Sequence, residues 1–404
     1  MVHLHLTDLL DLGGGHALAV VPRDDGGLSA VPAVRVDGEW RRASVGDGTA
    51  EALVHLLTTM PGRSAHGRFT IDSWAAPGQA VGERAINVDQ TNESVIVGDH
   101  AVAKWATHLA PGPHPAPARL STLQAAGFTA MPPLWGIVTW QPDGGEQTLA
   151  ATVTGYLPAA VDGWTWAVDL AVAAARSDDT ADITTTWTAV GEVIADLHAA
   201  LACTETVSTA DDARRWRDAA FGALAAARAL AGPSNAALLD ERREDVERIL
   251  DVLGELVRIP IIDAHGDLHV GQILRAQERF VVTDFDGNPV LSPAEQGLPV
   301  PAALDVAGML QSLTHVAIVA AVKNDLDPGV LARIDEMSRS AFLDAYTARI
   351  AGSGHADLFA GADVVTAFRL QQVLREIIYA GRHLPRWMYV PELALPALLE
   401  GVAR

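Results

Sequence analysis

The sequence predicts an α+β protein built in three successive parts: an N-terminal α+β cap, a small antiparallel-sheet lobe and a large, mostly helical lobe. Short strand-like runs broken by turn residues continue to about residue 157. From about residue 158 the apolar residues recur with helical period instead. At 404 residues the chain is also too long for one ordinary core and divides into subdomains.

Residues 1–86 form the cap. HALAVVPR runs into the turn DDGG, AVRVDG runs into EWRRASVGDG, and helical spacing shows briefly from Glu51 to Leu57. Residues 87–157 form the small lobe. Ser94–Val97, a Gly98-Asp99-His100 turn and Ala101–Lys104 read as a hairpin. The Pro-rich segment PGPHPAP then breaks the chain, a helix runs to about Ala126, and MPPLWGIVTW and TLAATVTGYL supply two more strands. Residues 158–404 form the helical lobe. WTWAVDLAVAAA, TTTWTAVGEVIADLHAALA, ARRWRDAAFGALAAARALA and ALLDERREDVERILDVLGEL each carry an apolar stripe at helical spacing. Two short strands interrupt them at about 260–263 and 280–283, and helices resume after Pro301.

Composition narrows the function. A net charge of −21 repels phosphate backbones and anionic lipid heads, so neither nucleic acid nor a membrane surface is an expected partner. The single cysteine, Cys203, excludes an internal disulfide and a Cys-rich zinc site, and fits a cytoplasmic location. The N-terminus has no Lys or Arg before Arg23 and so lacks a signal peptide's basic start. The longest apolar stretch, Val306 to Val322, is interrupted by Gln311, Ser312, Thr314 and His315, and reads as a buried helix. Only two lysines occur, Lys104 and Lys323, which draws attention to the one in a strand pattern.

The residues that carry chemistry lie in HGDLHVGQILRAQERFVVTDFDGNP, residues 265–289. Asp267 follows a short apolar strand and sits in a loop. Gln272 comes five residues later, and a second strand ends at Asp284-Phe-Asp286-Gly287. Phosphoryl transfer needs a carboxylate to take the proton of the attacking hydroxyl, hard oxygens to hold Mg²⁺, and a cation to position the phosphates. Asp267 can be the first, Gln272 and Asp284 the second, and Lys104 the third.

This segment resembles the aminoglycoside phosphotransferase-like kinases, which carry HGD-x-H-x-G-N and a DFD or DFE element. Gln at position 272, Gln90-Thr-Asn-Glu-Ser-Val, Asp162-Gly-Trp164 and Asp305-Val-Ala-Gly-Met309 look more like the maltokinase branch. Within that branch the chain is similar to actinobacterial glucosamine kinases. The resemblance covers nearly the whole chain and implies a protein-kinase-like two-lobed fold with a cap. It also implies ATP as co-substrate and Mg²⁺ as cofactor, with Asp267 as catalytic base, Gln272 and Asp284 as metal ligands, and Lys104 near the phosphates. The candidate nucleotide cover is Asp89 to Asn92, so Gln90, Asn92 and Ser94 join Lys104 as nucleotide-binding candidates. One departure stands out. Ala118 occupies the place where maltokinases have a helix Glu to pair with the lysine.

For the acceptor, Glu376, Tyr379 and His383 share a helix face, and Trp387 follows as an aromatic surface on which a sugar can stack. Asp305 is either a helix N-cap or a second pocket acid. Two acids, Asp305 and Glu376, suit an ammonium-bearing sugar through charge-assisted hydrogen bonds. His269 and Asp286 complete the expected substrate set, while His198 reads as a helix-packing residue. The resemblance points to phosphorylation of glucosamine to glucosamine 6-phosphate. A maltokinase, an aminoglycoside phosphotransferase and a non-catalytic binding protein are the alternatives. The sequence carries no signal for oligomeric state.

Overall fold

The computed structural model describes residues 4–402 except 77, 79, 87–92, 111 and 178, and Gln90 and Asn92 therefore lie outside the described residues. The chain divides into two compact units, Met1–Ala160 with Thr283–Leu298, and Val161–Val282 with Pro299–Arg404. Elements are numbered in chain order.

The first unit holds two antiparallel sheets. Strands β1 (Asp8–Gly13), β2 (His16–Pro22), β3 (Leu28–Val36) and β4 (Glu39–Arg42) form a four-stranded meander. The second sheet contains β5 (Gly62–His66), β6 (Phe69–Ser73), β7 (Glu83–Ala85), β8 (Glu93–Val97), β9 (Ala101–Trp105), β10 (Leu134–Trp140) and β11 (Thr148–Gly155). Its strand order is β5-β6-β10-β11-β9-β8-β7. The expected hairpin is β8–β9, with Ile96 opposite Val102. The boundary expected at residue 86 falls inside this sheet, because β7 pairs with β8 and β6 pairs with β10. The alternating buried residues of β6, Phe69 and Ile71, explain the continuity. They join one core with Leu53, Val54 and Leu57 of helix α1 (Thr49–Thr59) and with Val138, Trp140 and Val153 of β10 and β11.

One carboxylate ties β7 to this core. Glu83 accepts from the backbone N–H of Gly46 and Gly48 through Oε2 at 2.7 and 3.1 Å, and from Ala50 and Glu51 through Oε1 at 2.6 and 3.2 Å. The N-terminus of α1 has unpaired N–H groups and a positive dipole end, and Glu83 satisfies both from another strand. Helix α2 (Pro115–Ala125) starts at the Pro-rich break, with Pro at its first position, where the missing N–H costs nothing.

The second unit is mainly helical. Its helices are α3 (Gly163–Ser177), α4 (Ala181–Leu201), α5 (Ala210–Leu230), α6 (Pro233–Glu241) and α7 (Arg243–Asp251), then α9 (Ala303–Asn324), α10 (Pro328–Gly352), α11 (Ala362–His383) and α12 (Tyr389–Val402). The short α8 (Pro293–Gln296) belongs to the first unit. The single helix expected over residues 237–256 is instead α6 and α7, parted at Arg242, followed by a 3₁₀ turn over Val252–Glu255. Two small ladders complete the unit, β12 (Thr206–Val207) with β13 (Pro260–Ile261), and the hairpin β14 (Ile273–Ala276) with β15 (Arg279–Val282). By length and composition α9 is apolar enough to cross a membrane, but 83% of that stretch is buried, as in a core helix.

Candidate active site

In the first unit the site is organised around Lys104. It lies next to the last residue of β9, flanked across the ladders by Ser94 of β8 and Thr152 of β11. Its ammonium donates to Asp286 Oδ2 at 2.6 Å and to Asp284 Oδ1 at 3.3 Å. Burial works against the ammonium, but the charges of Asp286 and then Asp284 outweigh it and raise the pKa, so Lys104 stays cationic. This answers the question left by Ala118. The lysine draws its anions from the DFD segment itself. Asp286, expected in the substrate set, is the closer partner of Lys104.

The DFD segment is pinned by Arg119, one residue beyond Ala118. Arg119 is 1% exposed and donates to the carbonyls of Phe285 at 3.3 Å and Gln296 at 3.0 Å. His114 caps the same helix, its Nδ1 accepting from Ala116 N, and burial lowers its pKa. Asp284 adopts a left-handed backbone at φ 63°, a conformation that Asp tolerates better than most residues. Two carboxylates converging on one ammonium are hard-oxygen donors suited to Mg²⁺. Among the described residues no group of three or more His, Cys, Asp or Glu forms a ready metal cage.

In the second unit the HGD loop rests on Asp305. This residue sits in the first turn of α9 and is 1% exposed. Its Oδ1 accepts from Gly266 N at 2.9 Å, and its Oδ2 accepts from His265 N at 2.8 Å and from His198 Nε2 at 3.2 Å. Burial opposes the charge. The His198 hydrogen bond, the neighbouring imidazoles and the Gly266 amide outweigh it and hold the carboxyl below the usual aspartate range. The expectation that Asp305 meets a sugar is therefore corrected. Both its oxygens are buried and engaged, and it supports the loop from beneath. Nor is it the N-cap, a position that Ala302 occupies.

Close backbone approach completes the support. A Cβ on Gly308 of α9 would lie 2.2 Å from the Leu268 carbonyl oxygen, and one on Gly163 of α3 would lie 1.7 Å from that of Val270. Val270 N donates to Ser312 Oγ at 2.9 Å, and Trp166 Nε1 donates to Ile273 O at 2.8 Å. Asp267 is partly exposed at the loop, and Gln272 Nε2 lies 3.4 Å from His269 Nε2.

Beside this loop stands an aromatic group. Trp164 stacks on His269 with ring centroids 6.0 Å apart, and Trp387 meets Trp164 edge-on at 6.3 Å. All three are partly exposed. Glu376 on α11 is also partly exposed. Its Oε1 accepts from Gln372 Nε2 at 3.1 Å, and its Oε2 lies 2.9 Å from His315 Nε2. Arg375 is lowered in pKa by burial, with the charges of Asp267 and Glu376 opposing that shift. So Asp267, His269 and Gln272, read from one motif, lie on one loop of this unit, Glu376 lies on α11, and Trp387 lies in the turn Pro385–Trp387 that follows α11 and reaches Trp164 beside His269. Trp164, Arg375, Arg119 and His315 were not assigned roles from sequence. Trp164 had a signal, in Asp162-Gly-Trp164, and the other three had none beyond residue type.

An HGD loop held on a buried carboxylate, and a strand lysine bracketed by a DFD segment, define a phosphotransferase of the kinase-like fold. No protein-family model matches the chain. A glucosamine kinase of Mycolicibacterium smegmatis is 56% identical over 395 residues, covering 97% of this chain and 98% of that protein. One from Streptacidiphilus jiangxiensis is 43% identical over 411 residues, covering 98% and 91%. The solved structure of a glucosamine kinase in complex with glucosamine, ADP and inorganic phosphate superposes with a TM-score of 0.88 at 41% identity, covering 98% of this chain and 94% of that one. The chain belongs to the glucosamine kinase family.

Proposed function

We propose that this protein transfers the γ-phosphoryl group of ATP to the 6-hydroxyl of glucosamine. The observation that carries the reading is near full-length similarity to glucosamine kinases, joined to an HGD loop and a lysine–DFD pair that supply phosphotransfer groups. The sugar O6 forms a bond to Pγ, the bond from Pγ to the β-bridging oxygen breaks, and the O6 proton passes to the Asp267 carboxylate. In the first unit Lys104 binds phosphate, Ser94 flanks it, and Asp284 offers a carboxylate oxygen to Mg²⁺. In the second unit Gln272 offers an amide oxygen to Mg²⁺. When bound, Mg²⁺ neutralises charge on the β- and γ-phosphates. Glu376 takes the sugar ammonium by a charge-assisted hydrogen bond, and Trp387, with Trp164 and His269, lines the sugar. Asp305 and Asp286 act as supports. The proposed compartment is the cytoplasm, where ATP is supplied and the exposed thiol of Cys203 stays reduced.

The test is ADP release against glucosamine, N-acetylglucosamine, glucose, maltose and kanamycin, with NMR identification of the product. Glucosamine is expected to be the preferred acceptor and its 6-phosphate the product. Asp267→Asn is expected to lower kcat by about 10²- to 10⁴-fold with little change in KM. Turnover of maltose without glucosamine would sink the acceptor assignment, and an active Asp267→Asn enzyme would sink the role of Asp267.

A further inference from the structure

We infer that Arg119 is a positioning residue for Lys104 and its two aspartates: it locks both ends of the loop 284–296 and so fixes where Asp284 and Asp286 stand. The inference rests on the reading of Lys104 and Asp284 as phosphate- and metal-binding groups, and extends the machinery to a residue that acts only through others.

Arg119 projects from α2, and every partner named below belongs to the first unit. Its side chain is among the largest that the fold buries completely. Nη1 donates to the carbonyl of Phe285 at 3.3 Å, and Nη2 donates to that of Gln296 at 3.0 Å. The two acceptors stand at the beginning and at the end of one loop. That loop is also braced from inside. Gln296 Nε2 donates to the carbonyls of Asn288 at 3.0 Å and Leu291 at 3.3 Å, and Asn288 Oδ1 accepts from Val290 N at 3.0 Å. Gly287 lies against the guanidinium. A Cβ there would stand 3.2 Å from Arg119 Nη1 and 3.4 Å from the Gln296 oxygen, and its φ of 82° favours glycine.

A guanidinium is a planar fork with fixed donor directions, so two carbonyls bound to its two ends are held at a fixed separation. A buried cation is costly without its hydrogen bonds, which makes the arrangement hard to leave. Phe285 stands between Asp284 and Asp286 in the chain, so fixing its carbonyl fixes the backbone that carries both carboxylates. Those carboxylates meet the Lys104 ammonium at 3.3 and 2.6 Å. Asp284 is exposed, so its position is set mainly by the backbone beneath it. Without Arg119 both carbonyls lose this donor and the loop ends part, carrying the aspartates off the ammonium. Lysine at position 119 would keep the charge, but as a compact point charge it cannot reproduce the fork.

The experiment uses the full-length protein with Arg119→Met, Arg119→Lys and Gln296→Ala. The readouts are steady-state kinetics with ATP and glucosamine, and amide hydrogen exchange without substrate at positions 290, 291 and 296, whose N–H groups donate within the loop to Asn288 and Ser292. Arg119→Met is expected to lower kcat/KM for ATP by about 10- to 100-fold, the range for displacing a site group by up to about 1 Å, while KM for glucosamine stays within about twofold. Arg119→Lys should recover only part of the loss. Gln296→Ala cuts the inner brace and leaves the guanidinium, and should fall between wild type and Arg119→Met. Exchange at the three amides should quicken in all three variants, while Ile137 and Val138 of β10 keep the wild-type rate, which separates a loosened loop from global opening. Wild-type kcat/KM for ATP in Arg119→Met, an Arg119→Lys enzyme equal to wild type, or unchanged exchange in the loop would overturn the inference. Exchange quickened equally in β10 would overturn it too, as a mark of general destabilisation. If Arg119→Met does not fold, Arg119→Lys and Gln296→Ala decide, and wild-type kinetics and exchange in both would overturn the inference. Exchange is read without substrate, so a wrong acceptor leaves that arm decisive.

Discussion

Gly308→Ala is a one-carbon change with a large expected effect. Gly308 lies in the first turns of α9, where its Cα faces the carbonyl of Leu268, the residue after Asp267. The added Cβ would meet the Leu268 oxygen at 2.2 Å, whereas ordinary contact begins near 3.4 Å. Either the helix or the loop must therefore move by about 1.2 Å, the difference between those two distances. The helix is anchored by the buried residues Val306, Met309, Leu310 and Leu313, so the loop gives way. A displacement of about 1 Å next to a reacting group costs about 10²-fold in rate, and overpacking of this kind costs about 1–3 kcal/mol of stability. The assay is a coupled ADP-release measurement of kcat and KM, with urea denaturation for stability. Gly222→Ala on α5 is the control, because its Cβ would meet nothing within 4 Å. That change should leave kcat unaltered and add about 0.5–1 kcal/mol through helix propensity. A Gly308→Ala enzyme with kcat within threefold of wild type and unchanged stability would refute the reasoning.

Two further predictions concern stability. Asp305 is held below the usual aspartate pKa in the folded protein, so its contribution is complete above about 3.9, the unfolded value, and is lost as pH falls through the lower folded value. Urea midpoints measured from pH 5 down to pH 2 should fall more steeply for wild type than for Asp305→Asn, and parallel curves would show that the carboxylate adds nothing. Glu83→Ala removes the shared acceptor for four N–H groups at the start of α1 and should cost about 1–3 kcal/mol. A loss below about 0.3 kcal/mol would mean that water replaces it.

What was legible in the sequence was what local pattern and local chemistry determine. Strand runs separated by turn residues, then helical stripes, gave the order of elements, because periodicity records which face is buried. Asp267, Gln272 and Asp284 stood out because they lie close along the chain in one motif, and Lys104 because it is one of only two lysines. The extent of the second sheet could not be read. Which strand pairs with which depends on contacts between β6 and β10, more than 60 residues apart. Acidic side chains were the hardest case. Asp305, Asp286 and Glu376 share the same chemistry in a sequence, and only their partners separate them. Buried against His198 and two amides, Asp305 supports a loop. Beside Lys104, Asp286 completes an ion pair. Glu376 is held on the helix that bears Arg375, its Oε1 on Gln372 and its Oε2 beside His315. The sequence by itself therefore determined the class of chemistry, since residue type and spacing set what a group can do. Tertiary structure decided what surrounds each acid, because a carboxylate's solvation and donors are supplied by residues distant in the chain.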